Sequence, residues 1–283
     1  MKSFLKKFPL LIFIISLLII FLFVGLGDRV AVPLFPDHQS LVAGILRIIG
    51  FGVMIPLLMC ISGQKSLGFR KGDVGMMIVK CLPILIPTAL LTISAIVGTC
   101  LGKHAENRPV SQLIEIAVLC IAVGLFEEIG FRAIMNDALV YQFRSYPKIF
   151  TVSAWAGSLL FGFVHVMGTF GVAFGDTVST LTFFAKIIET GLFGLIMLIL
   201  FWKTRNIWAC AAVHALNDFL PLCTSFLAGS GTLDSIRYVS DGQTGIYSLV
   251  VYTVLILLSI IVLLRFRKTI LPTLDFEKMR QEW

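Results

Sequence analysis

Two adjacent carboxylates and an arginine lie inside an otherwise apolar part of this chain. Glu127, Glu128 and Arg132 are flanked by the mostly apolar runs 114–123 and 133–139, which together resemble a membrane span. A charged side chain at the centre of a bilayer costs about 2.5–3.5 kcal/mol on insertion scales. Three such charges within six residues therefore predict a functional use inside the membrane.

The spacing of these three residues suggests that they have different tasks. Glu128 and Arg132 are four residues apart on a helix, so they share a face and can form a supporting ion pair. Glu127 is rotated from Glu128 by about 100° and points elsewhere, which makes it the candidate working carboxylate. The alternative is that all three residues form one packing network.

The four histidines fall into two classes. His38 and His104 lie in polar connections, where we expect solvated side chains. His165 and His214 lie in apolar segments, and a buried histidine is usually a hydrogen-bonded core residue. Two of them on different helices, beside a helix that carries Glu127, favour a functional interpretation.

His214, Asn217 and Asp218 share one helical stripe because they are separated by three and four residues. An imidazole needs a partner at its second nitrogen to fix its tautomer, and Asp218 is one candidate for that partner. Asn217 can reach the same neighbourhood.

Converging carboxylates and imidazoles permit hydrolysis. A buried glutamate can act as a general base toward water, and a second imidazole with an amide or carboxyl group can stabilise an oxyanion. Glu127, His165 and His214 are alternatively a possible ligand set for Zn²⁺, with water as the fourth ligand. The chain contains no HExxH motif, so the usual zinc helix is missing. The residues therefore leave open a reaction without a cofactor and one with zinc.

Composition identifies the elements that must position these residues. The 283 residues are 58% hydrophobic and only 14% charged, with a mean hydropathy of +0.96, whereas soluble domains are about 25% charged. We predict an all-α, polytopic membrane helix bundle with about eight transmembrane helices. The predicted spans are 8–27, 41–63, 75–101, 111–136, 150–175, 181–202, 207–227 and 245–265.

Basic residues predict the orientation of the bundle. With the N terminus in the cytoplasm, fifteen of the 23 Lys and Arg residues fall inside and four outside, while four lie in or near spans. Both termini are then cytoplasmic, and the net charge of +7 faces anionic lipid instead of nucleic acid. The first apolar run is longer than a usual signal-peptide core, so we interpret it as a retained anchor. The six cysteines are interpreted as small packing residues.

The order of three motifs resembles the CAAX prenyl protease type II family, also called the CPBP or Abi family of intramembrane proteases. The motifs are EExxxR at Glu127–Arg132, FxxxH at Phe161–His165, and HxxxN or HxxxD at His214–Asp218. The similarity covers about Gln112 to Pro221. It implies an endopeptidase that reaches a peptide or protein substrate within the membrane, and a bacterial cell membrane as its location.

The resemblance also implies a role for each motif residue. Glu127 and His165 would activate water, while His214 and Asp218 would form the oxyanion side. Glu128, Arg132 and Asn217 would be supporting residues. Many family members have Asn where this chain has Asp218, and an ionised aspartate would repel an oxyanion. Three arrangements would avoid this repulsion. Asp218 is protonated, or Asn217 donates the hydrogen bond to the oxyanion, or Asp218 orients His214 instead.

The sequence predicts three consecutive stretches: N-terminal helices over 1–110, a catalytic core over 111–227, and the last helix with a cytoplasmic tail over 228–283. Two other functions use the same residues. One is a non-catalytic bacteriocin-immunity or scaffold protein that binds a partner, and the other is a proton-coupled transporter. The transporter would need a repeat that the sequence does not show.

Overall fold

The computed structural model describes residues 7–101, 110–227 and 238–282, and these residues form helices without any strand. The predicted all-α class is therefore confirmed. The longer helices are α1 (Pro9–Ile20), α2 (Gln39–Ile61), α3 (Lys71–Leu101), α4 (Val110–Glu127), α5 (Asn136–Gln142), α6 (Ile149–Val166), α7 (Thr177–Thr204), α8 (Ile207–Leu227), α9 (Gly242–Thr269) and α10 (Phe276–Glu282). Two π-helical segments occupy Phe21–Leu26 and Glu128–Met135. Shorter helical turns occupy Gly27–Val30, Val32–Leu34, Pro36–His38, Gln64–Leu67, Met167–Thr169, Phe170–Ala173 and Leu271–Thr273.

Seven helical segments in the described part of the chain are long and apolar enough to cross a membrane. They coincide with seven of the eight predicted spans, and their number and apolarity indicate an integral membrane protein. The remaining predicted span, 111–136, forms α4 and the π-helical segment that follows it. This is the segment that contains Glu127, Glu128 and Arg132.

The helices belong to two compact units. Unit 1 comprises Met1–Gln142 and Thr204–Ser235, and so contains α1 to α5 and α8. Unit 2 comprises Phe143–Lys203 and Ile236–Trp283, with α6, α7, α9 and α10. Each unit is assembled from two separate parts of the sequence. The consecutive stretches 1–110, 111–227 and 228–283 stay predictions.

In unit 1, α4 packs against α2 and α8, and α3 packs against α8. A buried ionic network around Asp137 of α5 links the end of α2 with the connection that precedes α8. Asp137 is fully buried and accepts hydrogen bonds from both terminal nitrogens of Arg205, at 3.0 and 2.5 Å. Its Oδ2 lies 2.5 Å from the hydroxyl of Ser62 at the end of α2, and Arg205 also donates to Ser66. Asn206 accepts the backbone N–H of Ala209 and so caps α8.

In unit 2, α6 and α7 approach closely at Gly162. A Cβ atom at this position would clash with the backbone oxygen of Ile187, so only glycine allows this approach. Asp176 caps the start of α7, because its carboxylate accepts the backbone N–H groups of Val178 and Ser179 and the hydroxyl of Ser179. These hydrogen bonds, first of all the one from the Ser179 hydroxyl, hold the pKa of Asp176 below its ordinary value.

Several residues of the orientation argument lie outside the described residues: Lys2, Lys6, Lys103, His104, Arg108 and Arg237. The predicted cytoplasmic termini therefore stay a prediction. His38 is exposed, as expected, but it also forms a 2.9 Å contact with Glu115. Among the described side chains, four cysteines are buried free thiols, and Cys223 is a half-buried one, in agreement with a packing role.

Candidate active site

The charged motif of α4 continues into the π-helical segment. Glu127 is the last residue of α4, and Glu128 and Arg132 belong to Glu128–Met135. Glu128 is fully buried and Arg132 is 3% exposed, and a guanidinium nitrogen of Arg132 lies 3.1 Å from Oε1 of Glu128. The structure thus contains the expected ion pair. π-Helical segments inside longer helices are frequent at functional sites.

His214 of α8 meets this ion pair. Its Nδ1 lies 2.8 Å from Oε1 of Glu128, which is the oxygen that Arg132 also contacts. An ionised carboxylate only accepts hydrogen bonds, so the shared proton belongs to Nδ1 of His214. The structure places Glu128 at Nδ1, and the role of Asp218 as a candidate for fixing the tautomer of His214 stays a prediction. The contact joins two helices, which residue spacing along one helix does not show.

The other ring nitrogen of His214 faces two carboxylates. Oδ2 of Asp218 lies 3.4 Å from Nε2, and Oε2 of Glu127 lies 3.8 Å from it. Both distances exceed the usual range for an N–H···O hydrogen bond. His214 is 2% exposed, whereas the side chains of Glu127 and Asp218 are 15% and 28% exposed. The buried imidazole therefore presents Nε2 toward the two more accessible acids.

A glycine allows α4 and α8 to approach closely enough for these contacts. A Cβ atom at Gly124 would lie 2.6 Å from the backbone oxygen of Ala211, a distance that real Cβ atoms do not show. Gly124 is one turn before Glu128, and Ala211 is three residues before His214. The missing side chain of Gly124 thus helps to set the separation of Glu128 and His214.

Asn217 is half-buried beside Asp218 on α8. Its predicted supporting role stays a prediction.

His165 lies in unit 2, on α6. Its Nδ1 donates to the backbone oxygen of Phe161, one turn earlier, at 2.8 Å. Because a carbonyl oxygen only accepts, this bond also determines the tautomer: the proton is on Nδ1, and in the neutral ring Nε2 carries the lone pair. The ring also contacts the rings of Phe161 and Tyr238. The predicted cooperation of His165 with Glu127 stays a prediction.

A metal site needs several ligand side chains close together. Among the side chains that the structure describes, no group of three or more His, Cys, Asp or Glu residues is arranged to hold a metal ion. The set predicted for Zn²⁺, Glu127 with His165 and His214, draws on both units and stays a prediction. Within unit 1, Nδ1 of His214 is occupied by Glu128.

Among the buried ionic contacts that sequence reasoning missed, two lie outside the three motifs. The first is Asp137 with Arg205, where Arg205 had the appearance of an ordinary basic loop residue. The second is Lys186 with Glu189 inside α7, at 2.9 Å in unit 2. Spacing of three residues on an apolar helix is the signal that could have identified the second pair.

Comparisons with known proteins give a match to a protein family. No match was found among the curated proteins or the solved structures. The part of the chain that carries all three motifs, residues 109–220, matches the family model described as Rce1-like, the type II CAAX prenyl endopeptidases.

Proposed function

We propose that this protein is an intramembrane endopeptidase of the CAAX-protease type, which cleaves a peptide bond with water activated by Glu127. The observation that carries this proposal is the position of Glu127, Glu128 and Asp218 around the single imidazole of His214. These residues come from two of the three motifs in the family-matched segment. We further propose that the enzyme reaches a peptide or protein substrate within a bacterial cell membrane. Both termini of the enzyme would then lie in the cytoplasm.

In the first step, the water oxygen attacks the carbonyl carbon of the substrate while Glu127 accepts a proton from the water. A carboxylate within hydrogen-bond reach of the attacking water can serve as its general base. His165 orients the same water through Nε2. The carbonyl oxygen becomes an oxyanion, and His214 in its doubly protonated, cationic form keeps Nδ1–H on Glu128 while Nε2–H donates a hydrogen bond to the oxyanion.

In the second step, the C–N bond of the tetrahedral intermediate breaks and the oxyanion re-forms a carbonyl. Glu127 passes its proton to the leaving nitrogen, so the products are a free amine and a new carboxyl group. The carboxylate of Glu127 is regenerated. Glu128 and Arg132 take no proton in this scheme; they hold Nδ1 of His214 so that Nε2 keeps its direction.

The first test compares membrane and secreted peptides of cells that express the wild type, Glu127→Gln or Glu115→Gln. Glu115 is a matched control, because it lies on the same helix and contacts the exposed His38. We expect Glu127→Gln to abolish specific cleavage products while expression and membrane insertion are unchanged, and Glu115→Gln to keep the products. Cleavage that persists in Glu127→Gln would contradict the proposal.

The same variants separate the other candidate functions. A non-catalytic immunity or scaffold protein keeps its cellular phenotype in Glu127→Gln and His165→Ala, since binding does not need a base. A transporter shows uptake into vesicles that follows a pH gradient. We further propose that the reaction proceeds without zinc, and we expect equal cleavage rates with and without a chelator.

A further inference from the structure

Unit 2 contains an ion pair that the proposed mechanism does not use. Lys186 and Glu189 lie inside the membrane-spanning helix α7, with Nζ of Lys186 2.9 Å from Oε2 of Glu189. Their side chains are only 15% and 10% exposed, and the hydroxyl of Thr190 also donates to Glu189. Apolar residues at these positions would avoid the cost of desolvating two charges. The pair therefore indicates a task beyond packing.

Lys186 faces two tyrosine rings. Its Nζ lies 5.0 Å from the ring centre of Tyr238 and 5.1 Å from that of Tyr252, which is within the range of cation–π contacts. The hydroxyl of Tyr252 donates to the backbone oxygen of Tyr238 at 3.0 Å. Tyr238 is thus fixed at its ring by a cation and at its backbone by a hydrogen bond.

Tyr238 in turn contacts His165. The two ring centres are 6.1 Å apart at an angle of 63°, an edge-to-face arrangement. The ring of Phe161 contacts the same imidazole at 4.5 Å, and the backbone oxygen of Phe161 accepts its Nδ1–H. His165 is therefore confined by two aromatic rings and by one hydrogen bond that determines its tautomer.

We propose that Tyr238, held by Lys186 and Tyr252, is a positioning residue that keeps His165 in the Nδ1–H tautomer with a fixed ring direction. The contacts lie within unit 2 and need no substrate. The consequence for turnover rests on the proposed function, in which Nε2 of His165 orients the attacking water. Glu189 holds the ammonium group of Lys186 beside the tyrosine rings.

The test uses the full chain in detergent micelles, labelled with ¹⁵N in the histidine rings. Spectra are recorded at a pH of about 8, above the ordinary pKa of an imidazole. The signals of His165 are identified by their loss in His165→Gln. We expect the wild type to show a neutral ring with the proton on Nδ1. Tyr238→Leu should move these signals toward a mixture of tautomers, whereas Tyr238→Phe, which keeps the ring, should leave them in place.

Unchanged His165 signals in a folded Tyr238→Leu protein would overturn the proposal. If Tyr238→Leu does not fold, the double variant Lys186→Met with Glu189→Met removes the cation without leaving one charge buried alone. We expect the same displacement of the His165 signals in that protein, and an unchanged spectrum there would overturn the proposal that Lys186 holds Tyr238 in position.

The spectrum and the cleavage assay test separate ideas. If Glu127→Gln still cleaves, the proposed function fails, but the ring signals still decide whether Tyr238 positions His165. If Glu127→Gln is inactive, Tyr238→Leu should lower kcat about tenfold with KM nearly unchanged, because a misdirected group loses rate more than binding. Tyr238→Phe should retain most of the turnover. A normal kcat in Tyr238→Leu would contradict the consequence for catalysis.

Discussion

Oε1 of Glu128 lies 2.8 Å from Nδ1 of His214 and 3.1 Å from a guanidinium nitrogen of Arg132. One buried carboxylate oxygen therefore contacts both the guanidinium group of Arg132, one turn further along the same helix, and the imidazole of His214 on the neighbouring helix. This arrangement places a proton on Nδ1 of His214 and leaves Nε2 facing Glu127 and Asp218. It also explains why two adjacent glutamates have different environments.

Glu128→Gln tests this supporting role. The amide weakens the contact with Nδ1 of His214 and removes the charge that Arg132 faces. Breaking a buried ion pair costs about 3–5 kcal/mol, so we expect a clearly lower unfolding temperature in detergent. Turnover per folded molecule should fall about tenfold to hundredfold, since His214 loses its direction. Glu115→Gln is the matched control, and equal turnover in the two variants would exclude the positioning role of Glu128.

Asp218→Asn tests the oxyanion side. An amide can donate to an oxyanion, whereas an ionised carboxylate repels it, so we expect Asp218→Asn to keep or increase the cleavage rate. Asp218→Ala offers no donor at this position, so we expect its rate to be about a hundredfold below that of Asp218→Asn, the usual effect of one oxyanion donor. Initial rates of the two variants provide the comparison. An inactive Asp218→Asn protein with active Asp218→Ala would reverse this interpretation.

The helices of this fold could be predicted because long apolar runs leave few alternatives in a membrane. The Glu128–Arg132 pair could be predicted as well, since spacing of four residues defines a helical face. The contact between Glu128 and His214 could not, because it joins residues 86 positions apart and depends on the packing of α4 against α8. Asp218 is the partner that residue spacing suggests because it lies on the same helix as His214.

The ionic contacts of Asp137 and Lys186 illustrate a second limit. Asp137 and Arg205 are 68 residues apart, and each resembles an ordinary charge near the end of a span. Lys186 lies close to Tyr238 and Tyr252, which belong to a distant part of the sequence. Charge placement along the chain predicts membrane orientation, but three-dimensional packing decides which charges meet.

Asp176→Ala tests the cap of α7 and its dependence on pH. Hydrogen bonds from Ser179 and Val178 lower the pKa of Asp176. Its contribution to stability is therefore complete above the ordinary carboxyl pKa of about 3.9 and is lost as the pH falls through the lower native value. We expect Asp176→Ala to unfold at a lower temperature than the wild type at neutral pH, with a smaller difference at pH values below that range.

Asp241→Ala is the control for this cap. Asp241 precedes α9 in the same way, but its side chain forms no capping hydrogen bond. Thermal unfolding in detergent at several pH values should therefore show a smaller effect than for Asp176→Ala. Equal losses of stability in the two variants, or a loss in Asp176→Ala that does not depend on pH, would contradict the assignment of the cap.

Gly124→Ala tests whether the approach of α4 and α8 sets the site. Alanine improves helix propensity by about 1 kcal/mol, but its Cβ would meet the rigid backbone oxygen of Ala211 at 2.6 Å. Overpacking of this kind costs about 1–3 kcal/mol, so the clash should dominate and separate the helices. We expect lower thermal stability and at least about tenfold lower turnover, because Glu128 moves away from Nδ1 of His214.

Gly52→Ala provides the matched control for Gly124→Ala. Gly52 lies inside α2 of the same unit, and no atom lies within 4 Å of the position of an added Cβ. This variant should gain up to about 1 kcal/mol of stability from helix propensity and keep its turnover. Both variants are measured as kcat and as unfolding temperature in the same detergent. Wild-type values for Gly124→Ala would mean that the contact of Glu128 with His214 does not depend on this close approach.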